Sequence, residues 1–157
     1  MLDSQDAFSA SYPASAESVP TVRSALTRFA SEAGVQGEQL EAIRLAASEA
    51  VTNGVLHAYR SGGGTIQVTA SYIGDEFWLL IADDGTGLRP RSPHSGLGLG
   101  LALISQLADE LQILSRSTGG TELRMQFKTD RSESARRPSG TERAQLRGSV
   151  ASAVVPA

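Results

Sequence analysis

Glu49 and Asn53, four positions apart, are the first side chains in this 157-residue sequence whose types and spacing could do chemistry. On a helix, residues four apart stack one turn above the other. A carboxylate can take a proton, and a carboxamide oxygen can ligate a hard cation. Together they suit a base beside a metal ligand, or an ordinary polar rim. Two glycine patterns follow. Asp83-Asp84-Gly85-Thr86-Gly87 sets a carboxylate at the end of an apolar run. A part-buried carboxylate must find donors. The exocyclic amine of adenine would serve, and so would the N–H groups of its own turn. Gly96-Leu97-Gly98-Leu99-Gly100-Leu101 opens a helical segment. Such glycines let backbone N–H groups approach an anion, and a helix N-terminus adds favourable partial charge. The same glycines would also suit a turn that simply packs a helix.

These residues need elements to hold them. Leu40, Ile43, Ala46, Ala47, Ala50, Val51, Gly54 and Ala58 recur at helical spacing, so Glu49 and Asn53 ride at the margin of an apolar face. The small residues of that face let the helix lie close to whatever it covers. The helix starts near Gly37 and ends before Ser61. Ahead of it come a strand over Ala7–Tyr12 and a helix from Val19 to Ala33, with Gly34 as a left-handed stop. Thr65–Tyr72 alternates as a half-buried strand, Gly74-Asp75 turns, and Glu76–Asp83 is apolar on both faces, as a central strand would be. The Gly96–Leu101 run leads into a helix reaching about Glu110. A hairpin over Leu111–Arg116 and Thr121–Phe127 closes the fold. Antiparallel neighbours with helices on one face make a two-layer α/β sandwich. Residues 129–157 lack any period and read as a disordered Arg/Ser/Ala-rich tail after a domain over residues 1–128.

Composition narrows the function. There is no cysteine, hence no thiolate metal site and no cysteine nucleophile. No apolar run approaches a membrane span, and the N-terminus is no signal peptide, which fits a cytoplasmic protein away from the membrane. The net charge is −3; beyond Lys128 five Arg and three acids give +2, leaving −5 on the rest. An acidic folded part argues against direct nucleic-acid binding. Two common phosphate sites are also rejected. A Walker loop needs a lysine beside its glycines, and the only lysine here is Lys128. A dinucleotide fold needs a strand running straight into the glycines, where this chain has Arg91-Ser92-Pro93-His94.

In order, EAVTNGVLHAY, DDGTG, GLGLGL and GGTELRMQF resemble the GHKL ATPases, and within them the bacterial anti-sigma-factor serine/threonine kinases. The resemblance covers roughly residues 8–128. It implies the Bergerat ATPase fold, with ATP and Mg2+ as ligands. It further implies Glu49 as general base, Asn53 as the magnesium ligand, and Asp83 as reader of the adenine amine. Gly85 and Gly87 would shape that side of the pocket. Gly98, Gly100 and Leu101 would lie beside the nucleotide, and Thr121 would support the adenine through its hydroxyl. Arg89 and Arg91 fall where the family has its lid, and Leu88–Ser95 is short for one. His57 reads as a packing residue and His94 as exposed. The implied function is a serine protein kinase that phosphorylates a STAS-type anti-anti-sigma protein and sequesters a sigma factor. The alternative is a nucleotide-dependent binding switch without kinase activity. The resemblance also admits a homodimer.

Overall fold

The computed structural model describes residues 7–59, 63–85 and 97–130. Eight elements follow in order: β1 (Ala7–Pro13), α1 (Ser18–Glu32), α2 (Gly37–Tyr59), β2 (Thr65–Ile73), β3 (Glu76–Asp83), α3 (Leu97–Leu107), β4 (Glu110–Ser115) and β5 (Thr121–Lys128). The strands form one sheet in the order β1-β2-β3-β5-β4, antiparallel at every pairing. β3 is therefore central; Phe77, Leu79 and Ile81 on its helix-covered face are buried, while Trp78 and Leu80 on the other face are half-buried. The helices supply a second layer, and the fold is the two-layer α/β sandwich that the sequence pattern implies.

The core lies between the layers. Val22, Leu26 and Ala30 of α1 meet Ile43, Ala46, Ala47, Ala50 and Val51 of α2, and both rows meet the inward side chains of the sheet. The rings of Phe29, Tyr72, Phe77 and Phe127 form a chain of tilted contacts through it, with centroids 5.0–6.2 Å apart. Gly34 takes φ +93°, which ends α1 as its sequence position implies. The small face of α2 does what its composition suggests: a Cβ on Gly54 would lie 3.3 Å from Ile66 Cδ1 and 3.6 Å from Asp83 Cβ. α2 thus presses on the end of β3 where Asp83 sits.

Two boundaries differ from the sequence expectation. α3 already includes Leu97 and the following glycines, and it stops at Leu107 rather than near Glu110. Tertiary bonds cut it short: the Asp109 N–H donates to the Gln126 carbonyl at 2.8 Å, and the Asp109 carboxylate accepts from the Lys128 N–H at 2.7 Å. These draw the chain onto the edge of β5 before another helical turn can form. Order also extends past Lys128. The Thr129 N–H and hydroxyl both donate to the Asp75 carbonyl, and Asp130 exchanges hydrogen bonds with the Gln39 side chain. The rest of the expected tail, from residue 131, lies outside the described residues. Among the described residues, no helix is long and apolar enough to cross a membrane.

Candidate functional site

The site forms where α2, the end of β3, the start of β5 and the first turns of α3 come together. Ala50, Asn53 and Gly54 of α2, Ile81 and Asp83 of β3, Leu101 of α3, and Thr121 and Leu123 of β5 line one cleft. The register makes this so, because Ile81 pairs with Leu123 and the two supply an apolar floor. Asp83 and Thr121 then stand at the adjoining ends of their strands, with α2 above. The cleft is narrow, with room for about one water.

Three polar residues are buried in this apolar setting: Asn53 (6% exposed), Asp83 (5%) and Thr121 (3%). Asn53 Nδ2 and Thr121 Oγ1 have no hydrogen-bond partner. A buried polar atom left unpaired costs about 1–3 kcal/mol, so a folded chain rarely keeps two on one cleft without a use for them. The pair fits a polar ligand that would enter the cleft. Asp83 Oδ1 accepts the Gly85 N–H at 2.9 Å. The turn-capping role and the cleft-facing position therefore coexist. Asp84 points away and is exposed, as its alternation implies, and its Oδ1 accepts the Thr65 N–H at 2.9 Å.

Glu49 sits half-buried one helical turn before Asn53. Both side chains aim at the same place on α3. A Cβ on Gly100 would lie 3.0 Å from Glu49 Oε2 and 3.4 Å from Asn53 Oδ1. Glu49 and Asn53 thus converge, as their spacing suggests, and Gly100 closes on them because it has no side chain. Gly98 falls within α3, and Leu101 is half-buried at the cleft. Gly85 is buried beside Asp83. Gly87, Arg89, Arg91, His94 and the His57 side chain lie outside the described residues.

Two residues that the sequence did not single out also bear on the site. Arg116 Nη1 donates to the Asp83 carbonyl at 3.1 Å. Gly120, at φ +91°, passes so close that a Cβ would stand 1.9 Å from the same oxygen. The Gly119-Gly120 pair signals a turn, but nothing local says what the turn touches.

The residue types fit magnesium and a nucleoside triphosphate. Magnesium takes oxygen ligands and keeps several waters, so one carboxamide plus phosphate oxygens suffices. Asn53 would hold it, with its amide already turned toward the convergence point. Among the described residues no three histidine, aspartate or glutamate side chains gather as a metal cage.

Residues 12–127 match the family model described as the histidine kinase-like ATPase domain. The chain is 33% identical to the serine-protein kinase RsbW of Staphylococcus epidermidis, over 74% of this chain and 84% of that one. It is 31% identical, with the same coverage, to the serine-protein kinase RsbW of Staphylococcus aureus. Among solved structures it resembles the RsbU and RsbW domains of a Mycobacterium tuberculosis protein, with a TM-score of 0.63 and 25% identity. That likeness covers 80% of this chain and 33% of the other.

Proposed function

This chain belongs to the histidine kinase-like ATPase family, and we propose that it is a serine protein kinase and anti-sigma factor. Its substrate would be a serine on a STAS-type anti-anti-sigma protein, and its second partner a sigma factor. The observation that carries the nucleotide reading is the convergence of Asn53, Asp83 and Thr121 on one cleft, two of them with unpaired buried atoms, beside Glu49. The protein-kinase reading is supported by the similarity to serine-protein kinases over most of both chains.

The roles follow from position. Asp83 accepts the adenine amine, and Thr121 offers its hydroxyl at the same edge. Ile81 and Leu123 give the base an apolar seat. The first turns of α3, with Gly98 and Gly100, lie along the phosphates and present backbone N–H groups. Asn53 would hold magnesium, which when bound would supply charge neutralisation at the transferring phosphoryl group. Glu49 takes the proton of the serine hydroxyl as its oxygen bonds to the γ-phosphorus and ADP leaves.

The experiment mixes the intact protein with magnesium, γ-labelled ATP and a cognate STAS protein. Label should appear on a serine of the STAS protein. ATP uptake without transfer would replace the kinase by a nucleotide-dependent binding switch. If calorimetry detects no binding of ATP or ADP, the nucleotide reading itself is wrong.

A further inference from the structure

The geometry points to Arg116, on the turn between β4 and β5, as a positioning residue for base recognition. It fixes the backbone of Asp83 so that the carboxylate meets the amine of adenine and disfavours a purine with a carbonyl there. The inference rests on the nucleotide reading above and deepens it.

The β3–β5 ladder ends at Ala82 opposite Glu122. One residue further, the Asp83 carbonyl is met by the Arg116 guanidinium at 3.1 Å. A hydrogen bond from a charged donor is stronger than the neutral ladder bond it succeeds. The turn delivers that donor. The Arg116 N–H donates to the Gly120 carbonyl and the Gly119 N–H to the Arg116 carbonyl, each at 3.1 Å. Arg116 and Gly120 are thereby tied together as they reach the strand end.

Gly120 makes the approach backbone against backbone. A Cβ there would stand 2.7 Å from the Asp83 carbonyl carbon and 2.9 Å from Asp84 Cα. From the opposite edge, Asp84 Oδ1 is held by the Thr65 N–H. The peptide at Asp83 is thus gripped by β5's turn on one side and by β2 on the other. With the peptide fixed, so is the direction of Cα–Cβ, and with it the carboxylate beside Thr121.

This matters for selectivity. The carboxylate accepts from the 6-amino group of adenine and faces a like-signed oxygen in hypoxanthine or guanine. A site built for a hydrogen bond rejects the analogue that lacks it, provided its groups stay in place. The triphosphate is held by other residues, so an error at Asp83 falls on the base alone.

The test is calorimetry of the intact protein with magnesium, using ATP and inosine triphosphate. Wild type should prefer ATP. Arg116→Ala should weaken ATP by about tenfold and leave inosine triphosphate within about twofold, so the preference shrinks. Arg116→Lys, which keeps a charged donor, should recover part of it. In an Asp83→Asn background, Arg116→Ala should change ATP binding no further, because the two act through one carboxylate. A folded Arg116→Ala protein with the wild-type preference, or one that loses both nucleotides equally, overturns the assignment. If Arg116→Ala melts below the assay temperature, Arg116→Gln is judged by the same ratio. A wild type that binds neither nucleotide removes the nucleotide site, and this inference with it.

Discussion

Gly100 of α3 lies against the Glu49 carboxylate of α2: a β-carbon at Gly100 would fall 3.0 Å from Glu49 Oε2. Real side chains seldom pack so tightly, so even a methyl group must displace Glu49. Alanine favours a helix interior over glycine by about 0.5–1 kcal/mol. Gly100→Ala therefore sets local helix stability against the position of the proposed base. Its melting temperature should hold or rise, while label transfer from ATP should fall at least about tenfold, since small misplacements are costly in phosphoryl transfer. Unchanged transfer would show that Glu49 is not needed where it stands.

Glu49→Gln keeps size and polarity and removes the proton acceptor. Transfer to protein should drop by about 10²–10⁴-fold, the usual contribution of a general base. ATP affinity, measured by calorimetry, should stay close to wild type. An equal loss of binding would make Glu49 a ligand-holding residue instead.

Thr121 predicts effects of opposite sign on stability and binding. Its hydroxyl is buried without a partner, and valine has nearly the same shape. Thr121→Val should stabilise the nucleotide-free protein by about 1 kcal/mol in urea unfolding, by removing an unpaired polar atom. The same variant should bind ATP more weakly. A loss of stability would mean the hydroxyl is already satisfied, and its assignment to the base would fall.

Asn53 separates metal from nucleotide. In wild type, removing magnesium with a chelator should weaken ATP binding. Asn53→Ala should bind ATP with magnesium about as weakly as wild type does without it, so that magnesium no longer matters. Retained magnesium dependence would place the ligand elsewhere.

Phe77 is fully buried, with Phe29, Tyr72 and Phe127 all in ring contact. Phe77→Ala should cost about 3–5 kcal/mol of unfolding free energy. Leu99 is 81% exposed, and Leu99→Ala should stay within about 0.5 kcal/mol. Denaturant melts of the two variants test whether the aromatic chain is the keystone of the core.

Much of this architecture was readable from local pattern. The limits of β3 and the start of α2 agree with the sequence reading because turn residues and glycines bracket their apolar runs. The pairing of Glu49 with Asn53 followed from helical spacing alone, and the burial of Asp83 from its place at the end of an apolar strand. The end of α3 could not be read, because Asp109 stops it through bonds to Gln126 and Lys128 of β5, 17 and 19 residues further on. Arg116 was equally hidden. As a sequence feature it is one arginine among thirteen, and only the folded hairpin brings it to Asp83. Tertiary contacts of that kind leave no periodic trace.

Thr129 and Asp130 have a practical bearing. They are moored to the β2–β3 turn and to the first turn of α2, at the pole away from Asp83. An eight-residue strand such as β3 spans about 25 Å. A purification handle, fluorophore or surface tether joined directly after Asp130, in place of residues 131–157, would therefore leave the fold far from the cleft. Immobilising a chain shortened to residue 130 through that point should leave the cleft's mouth free for partners arriving from solution.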